Sequence, residues 1–331
     1  MGNHSLSKAT RACGLAAALF LLIPFGHPST ALAKGRQEAI SWEHSGTVPM
    51  TTHKTFFSAA IGTNASYLVY LPPSYKEADK ARYPLLFFYH GGNGSPMAGD
   101  GFVAKLDDAI RRNLCPEVIC VLPNGLAASW YVDSLSTKQP VETVIVKDLY
   151  DEVNSRYKTL GTRETTGIVG FSMGGNGALH HALEHRDKYG LVWGISGAVQ
   201  DRTFFMNTLD KGRYFTSLYG GDEAYLKAHH PPSIVEAHHE AIKAAGIKIQ
   251  LTVGDDDTGR GGNIYQAYLN FSALLKKYDI PHTFYVAPGV GHSYNGVINT
   301  LGDKVWKFLK DAWGEASRKS GAMATSSSAV R

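Results

Sequence analysis

A six-residue segment near the middle of the chain, GFSMGG at residues 170–175, constrains the fold most. It matches the pattern G-x-S-x-G and carries a further glycine behind it. A strand-like run at 167–169 precedes it, and a helix-like run at 176–183 follows it. Strand, sharp turn and helix form the context in which such a serine becomes an exposed nucleophile. The alternative is a chance match in a chain with 35 glycines, in which Ser172 only caps a helix.

The chemistry of acyl transfer explains the small residues of this segment. A serine hydroxyl is a weak nucleophile, so it must be exposed and within reach of a base. The turn that exposes it is strained and crowded, which requires small residues at Gly170 and Gly174. The backbone N–H of Met173 then begins the helix and faces the anion that forms during acyl transfer. We therefore predict Ser172 as the nucleophile and Met173 as an oxyanion-hole donor.

The rest of the chain alternates strand-like and helix-like segments. Apolar runs predict strands at 67–71, 84–89, 118–122, 191–195, 247–253 and 284–286, and helical patterns lie at 103–112, 141–157, 264–278 and near 305–309. Residues 84–89 are apolar without alternation, which is typical of a central parallel strand buried on both faces. This order predicts an α/β-hydrolase fold with a mostly parallel central sheet flanked by helices. Residues 34–60 predict an irregular segment or an edge strand, and residues 198–246 predict a helical insertion after the strand that follows the nucleophile.

The N-terminus has the pattern of a signal peptide. Lys8 and Arg11 precede an apolar run at 14–25, and the small-x-small sequence ALA ends at residue 33. We predict a signal peptide at 1–33, a catalytic domain at 34–315 and a disordered tail at 316–331. The expected location is secreted or periplasmic, without stable membrane insertion of the mature chain; an uncleaved anchor is the alternative. The net charge of +4 is carried by dispersed basic residues, which does not indicate a nucleic-acid partner.

Two cysteines remain in the predicted mature chain, Cys115 and Cys120. Export makes a disulfide chemically feasible. The predicted strand at 118–122 carries Cys120 away from Cys115, which favours two buried thiols. Both interpretations stay open at this point, and no histidine or glycine turn marks either cysteine as catalytic.

A base and an acid are expected to follow the serine in the order Ser, Asp or Glu, His. His292 comes after the last predicted strand and is preceded by glycine, so a tight loop can carry its ring to Ser172. Three consecutive aspartates, 255–257, follow the strand before it, and only one of them can point at His292. A second oxyanion donor is expected from the glycine pair at 91–92, because glycine lets a backbone N–H approach the substrate closely. His90, just before this pair, is interpreted as structural.

These residues resemble the putative-esterase family of α/β-hydrolases. The motifs that carry the resemblance are YLPPSY at 70–75, PLLFFYHGG at 84–92, SWYVDS at 129–134, GFSMGG at 170–175 and GDDD at 254–257. The family includes feruloyl and acetyl-xylan esterases, S-formylglutathione hydrolases, enterochelin esterases and bacterial mycolyltransferases. The resemblance runs from about residue 48 to residue 313.

The resemblance implies roles for particular residues. It points to Asp257 as the triad acid and to the N–H groups of Gly92 and Met173 as the oxyanion hole. Trp130 and Tyr131 would lie near the acyl or leaving-group pocket; an ordinary pair of core aromatics is the alternative. One departure concerns the segment SYNG at 293–296, where the family often has a tryptophan close behind the histidine.

The sequence therefore predicts a secreted serine esterase with the triad Ser172, His292 and Asp257, and with no cofactor. The expected substrate is a small-molecule or polysaccharide-linked ester of feruloyl or acetyl type. An acyltransferase of the mycolyltransferase type and a non-catalytic binding protein are the alternatives. Histidines at 181, 185, 229–230 and 238–239, with Glu184, are interpreted as solvated helix faces, since no HExxH-like ligand set is present and no metal is expected.

Overall fold

A single mixed sheet organises the part of the chain that the computed structural model describes, residues 41–259 and 262–314. Its eight strands are β1 (Thr51–Ser58), β2 (Thr63–Tyr70), β3 (Leu85–Tyr89), β4 (Ile119–Pro123), β5 (Thr166–Phe171), β6 (Leu191–Ile195), β7 (Lys248–Gly254) and β8 (His282–Ala287). Their order in the sheet is β1-β2-β4-β3-β5-β6-β7-β8. The predicted signal peptide at 1–33 and tail at 316–331 lie outside the described residues.

The sheet is antiparallel at one edge and parallel elsewhere. β2 pairs antiparallel with both β1 and β4, and the strands from β4 to β8 pair in parallel. β3, β4 and β6 are buried along their whole length, as expected for parallel strands with helices on both faces. The predicted α/β-hydrolase fold is confirmed, and β1 is the edge strand expected within 34–60.

Helices cover both faces of the sheet. They are α1 (Asp100–Arg111), α2 (Val141–Thr143), α3 (Tyr150–Arg156), α4 (Met173–Glu184), α5 (Arg213–Ser217), α6 (Glu223–Ala228), α7 (Pro231–Ala245), α8 (Ile264–Lys277) and α9 (Tyr294–Leu301), and residues 304–314 are also helical. A π-helical turn, Val144–Leu149, joins α2 to α3, so the predicted helix at 141–157 contains a widened central turn. The predicted insertion at 198–246 is helical, as α5, α6 and α7 show.

Successive side chains of β3 point to opposite faces of the sheet, so the core forms one layer on each face. Leu85, Phe87 and Tyr89 belong to a cluster under α2–α4 and α8, whereas Leu86 and Phe88 belong to a cluster under α1 and α9. α9 was not predicted from the sequence. Its start is explained by the Ser293 hydroxyl, which accepts a hydrogen bond from the Gly296 N–H at 3.1 Å.

Cys115 and Cys120 are both buried free thiols. β4 carries Cys120 into the sheet, which agrees with the interpretation of two buried thiols. Burial raises the pKa of Cys115 to about 12 and also raises the pKa of Cys120, so both stay protonated at neutral pH. Across residues 41–259 and 262–314, the helices are too short or too polar to span a bilayer.

Candidate active site

Ser172 lies in a sharp turn between the end of β5 and the start of α4. Its backbone has φ 57° and ψ −118°, a strained conformation for a residue with a side chain. A Cβ added at Gly170 would lie 2.0 Å from the Gly174 carbonyl oxygen, and one added at Gly174 would lie 2.2 Å from the Tyr89 carbonyl oxygen. The crowding expected from the motif is therefore present, and the turn holds the Ser172 hydroxyl at the carboxyl end of the sheet.

The His292 ring joins Ser172 to Asp257. The Ser172 Oγ lies 2.8 Å from His292 Nε2, and His292 Nδ1 lies 2.9 Å from Asp257 Oδ2 and 3.1 Å from Oδ1. Asp257 is only 2% exposed, so its carboxylate is screened little by solvent. An Nδ1–H that donates to this carboxylate leaves the Nε2 lone pair free to accept the serine proton.

Asp255 and Asp256 occupy different positions from Asp257. Both are exposed. The Asp255 carboxylate accepts a hydrogen bond from the Gly289 N–H at 2.7 Å, and the Asp256 N–H donates to the Val290 carbonyl at 3.1 Å. These two residues fasten the loop that carries His292 to the turn after β7, and of the three aspartates Asp257 faces His292.

His90 anchors the glycine loop beside Ser172. Its Nε2 accepts a hydrogen bond from the Gly125 N–H at 3.2 Å, and its Nδ1–H donates to the Gly91 carbonyl at 2.9 Å. This pattern fixes a neutral tautomer, and burial lowers the pKa of His90 to about 4. The structural interpretation of His90 is confirmed by these contacts.

The two predicted oxyanion donors lie side by side. A Cβ at Gly92 would be 3.9 Å from the Met173 Cβ, and both residues line the same cavity as Ser172. Met173 is the first residue of α4, so its N–H has no partner within the helix. The arrangement brings the backbones of Gly92 and Met173 to the cavity that Ser172 also lines.

Protonation of His90 is expected to destabilise the fold, because a second ring proton would face the Gly125 N–H. The folded-state pKa of about 4 lies below the unfolded value, so the stability that the neutral ring provides is present above about pH 6.5 and is lost as pH falls towards 4. We expect the free-energy advantage of the native chain over His90→Gln to shrink by about 2 kcal/mol between pH 7.5 and pH 5. Urea unfolding of both proteins at each pH measures this difference in unfolding free energy. A difference between the two proteins that does not change with pH would contradict this account.

The cavity beside Ser172 has a volume of about 150 Å³. Its wall is mainly apolar and is formed by Ala127, Ala128, Trp130, Ala198, Phe204, Leu209, Tyr214 and Ile264, together with Gly92, Asn93, Ser172 and Met173. Phe204, Leu209 and Tyr214 come from the insertion. The sequence predicts the insertion but does not identify these residues, because no spacing shows which of its side chains face the serine.

The neighbouring aromatics Trp130 and Tyr131 point to different places. Both have positive φ, 54° and 60°. Trp130 lines the cavity, and its ring packs edge-on against Phe205 at 5.1 Å. Tyr131 is fully buried and stacks on Tyr89 at 4.4 Å, and its hydroxyl donates to the His90 carbonyl at 3.1 Å. The structure thus places Trp130 at the pocket, whereas Tyr131 belongs to the core beneath the glycine loop.

The sheet order and the strand–Ser172–helix turn define the class of the protein as an α/β-hydrolase. Residues 58–313 match the family described as "Putative esterase", and the chain belongs to this family. The resemblance inferred from the sequence motifs is confirmed.

Curated relatives carry the name esterase. Esterase Rv1288 of Mycobacterium tuberculosis is 25% identical over 271 residues, which cover 74% of this chain and 56% of that protein. The chain therefore spans about half the length of this relative.

Solved structures share the fold. A ferulic acid esterase superposes with a TM-score of 0.65 at 22% identity, covering 79% of this chain and 98% of that one. The serine hydrolase FphF of Staphylococcus aureus superposes with a TM-score of 0.64 at 17% identity, covering 78% of this chain and 97% of that one. An S-formylglutathione hydrolase from Agrobacterium tumefaciens superposes with a TM-score of 0.63 at 16% identity, covering 81% of this chain and 97% of that one. At these identities the likeness concerns the fold.

Proposed function

We propose that the protein is a serine esterase that hydrolyses carboxylic esters through an acyl-enzyme. The observation that carries this proposal is the line of hydrogen bonds from Ser172 through His292 to the buried Asp257, at the edge of an apolar cavity. A nucleophile, a base and a group that orients the base are the set that acyl transfer requires. Membership of the esterase family supports the same reaction.

In the proposed mechanism, Ser172 Oγ attacks the ester carbonyl while His292 Nε2 accepts the serine proton. The N–H groups of Gly92 and Met173 bind the oxyanion, whose negative charge develops next to the start of α4. Asp257 stabilises the imidazolium, which returns the proton to the leaving alcohol. Water then attacks the acyl-enzyme by the same route, giving the free acid and Ser172.

The lining of the cavity favours an ester with an aromatic acyl group. Trp130, Phe204 and Tyr214 provide ring surfaces beside Ser172, and rings pack favourably against one another. We propose a feruloyl-type ester linked to carbohydrate as the substrate, and the fold shared with a ferulic acid esterase supports this class. Export directed by the predicted signal peptide at 1–33 would place the enzyme outside the cytoplasm, where such polymers occur.

Shortening Phe204 is expected to impair selectively the hydrolysis of esters that have an aromatic acyl group. We expect Phe204→Ala to lower kcat/KM for methyl ferulate roughly tenfold more than for 4-nitrophenyl acetate, because the acetyl group reaches less of the wall. Phe215→Ala is a matched control, since Phe215 is also a partly buried aromatic of the insertion but does not line the cavity. Equal losses on both esters in Phe204→Ala, or no hydrolysis of either ester by the native chain, would count against the proposal.

A further inference from the structure

A second group of ionisable side chains lies away from the Ser172 cavity. Glu142 of α2, His180 of α4 and His229 at the end of α6 bring one donor atom each to within 4.8 Å of one another. None of them lines the cavity beside Ser172. His180 is seven residues into α4 from Met173, which corresponds to about 10 Å along the helix. The proposed esterase reaction leaves this cluster without a role.

His180 is the most unusual member of the cluster. Its side chain is 0% exposed, and neither ring nitrogen makes a hydrogen bond. Its Nε2 lies 3.6 Å from Glu142 Oε2, an oxygen that also has no hydrogen-bond partner. Buried polar groups in native proteins are nearly always paired, so unpartnered atoms that face one another require an explanation.

Hydrogen bonds around the cluster orient His229 and Glu142 so that a lone pair of each faces the other. The His229 Nδ1–H donates to the Tyr225 carbonyl at 2.7 Å, which leaves the Nε2 lone pair facing Glu142 Oε2 at 3.6 Å. The His185 Nε2–H donates to Glu142 Oε1 at 2.6 Å, which leaves Oε2 for the two histidines. Metal-binding histidines and carboxylates are held by outer contacts of this kind. Burial lowers the pKa of His180, so its ring is neutral and keeps a lone pair.

We propose that Glu142 Oε2, His180 Nε2 and His229 Nε2 bind a divalent transition-metal ion, with Zn²⁺ as the favoured ion. Donor atoms around a tetrahedral zinc ion are roughly 3.4 Å apart when the bonds are about 2.0–2.1 Å long. Both separations of 3.6 Å from the carboxylate oxygen to the histidine nitrogens are close to this value. Imidazole nitrogens combined with one carboxylate suit zinc, whereas calcium and magnesium prefer sites made of oxygen.

The position of the site has a structural consequence. The Glu142 side chain is 12% exposed and that of His229 is 15% exposed, so the cluster lies near the surface, and a water molecule would complete a set of four ligands. The three ligands come from three separate segments. A bound ion would therefore fasten α6, in the insertion, to α2 and to the helix that begins at Met173.

From the sequence, His181, His185 and His229, with Glu184, are interpreted as parts of solvated helix faces, and no metal is expected. This interpretation is wrong for His181, whose side chain is fully buried. In the structure both nitrogens of His181 have partners, the Tyr89 hydroxyl at 2.9 Å and the Tyr131 carbonyl at 2.7 Å. His180 is the residue of α4 that faces Glu142. Sequence spacing could not reveal the cluster of Glu142, His180 and His229, because these residues lie far apart in the chain.

Zinc titration of the untagged full chain, stripped with EDTA, tests the proposal. We expect calorimetry to show one Zn²⁺ per chain and the melting temperature to rise when zinc is added. Glu142→Gln and His229→Gln, which alter the partly exposed ligands, are expected to weaken binding by roughly 100-fold or more, since even outer contacts cost 10–100-fold. His238→Gln is the matched control, because His238 is an exposed histidine of the insertion, and it should bind zinc like the native chain.

Circular dichroism establishes that each variant is folded, and Co²⁺ gives an independent readout. The native chain with Co²⁺ is expected to show the strong visible bands of a tetrahedral site, and both ligand variants should lose them. Absence of saturable zinc binding would overturn the proposal. Binding that survives in Glu142→Gln and His229→Gln, or that is lost in His238→Gln, would overturn it as well. None of these readouts depends on ester hydrolysis.

Discussion

Replacing Ser172 with alanine is expected to abolish labelling by a fluorophosphonate probe and to lower kcat by roughly 10⁴-fold or more. The change removes the Oγ that lies 2.8 Å from His292 Nε2 and leaves the base without a nucleophile. The residues of a triad act as a unit, so the loss of one removes nearly the whole chemical contribution. Gel detection of the labelled chain and kcat on 4-nitrophenyl acetate measure the two effects.

Ser293→Ala is a suitable control for this substitution. Ser293 follows His292 and caps α9, but its hydroxyl bonds to the Gly296 N–H and not to the triad. We expect this variant to keep its labelling and to lose about 0.5–2 kcal/mol of stability through the missing cap. Labelling that persists in Ser172→Ala would place the nucleophile at another residue.

Asp257→Asn is expected to lower kcat by roughly 10³–10⁴-fold while the protein stays folded. The asparagine would fill the same space, but its neutral amide neither stabilises the imidazolium nor holds the Nδ1–H tautomer that the 2.9 Å contact with Oδ2 favours. The measurement is kcat at equal folded concentration, with circular dichroism as the check on folding.

The neighbouring aspartates provide matched controls. Asp255→Asn and Asp256→Asn remove the same charge one or two residues away, at exposed positions. We expect kcat within a few-fold of the native value and stability changes of at most about 1 kcal/mol, because the Asp255 carboxylate, which the substitution changes, accepts its hydrogen bond from the Gly289 N–H and not from His292. A large kinetic defect in either control, with a mild one in Asp257→Asn, would assign the acid differently.

Features that depend on local constraints were predictable from the sequence. The turn at Ser172 can be recognised from the sequence, because close backbone contacts require glycine at positions 170 and 174. The approach of His292 to Ser172 was predictable from the place of His292 after the last strand, since the carboxyl ends of parallel strands meet at one edge. The choice among the three aspartates depends on the turn after β7, and the residues alone left it open; the family resemblance pointed to Asp257.

Features that depend on distant parts of the chain were not predictable. The contact between Glu142, His180 and His229 joins three segments whose relative placement only the folded chain defines. The same holds for the cavity wall, where Phe204 and Tyr214 approach Ser172 from the insertion. The different positions of the Trp130 and Tyr131 side chains accompany two consecutive residues with positive φ, a backbone conformation that the residue types do not predict.

The cavity wall and the reacting residues come from different parts of the chain, which affects how substrate preference can change. Loops at the end of the sheet hold Ser172, Asp257 and His292, whereas a separate stretch of short helical turns supplies Phe204, Leu209 and Tyr214. Under the proposed reaction, we expect exchanges in that stretch to alter the shape that an acyl group meets while Ser172, Asp257 and His292 keep their positions. Directed evolution towards a new ester is therefore best begun with a library confined to these wall positions, with the sheet and its loops left as a constant scaffold.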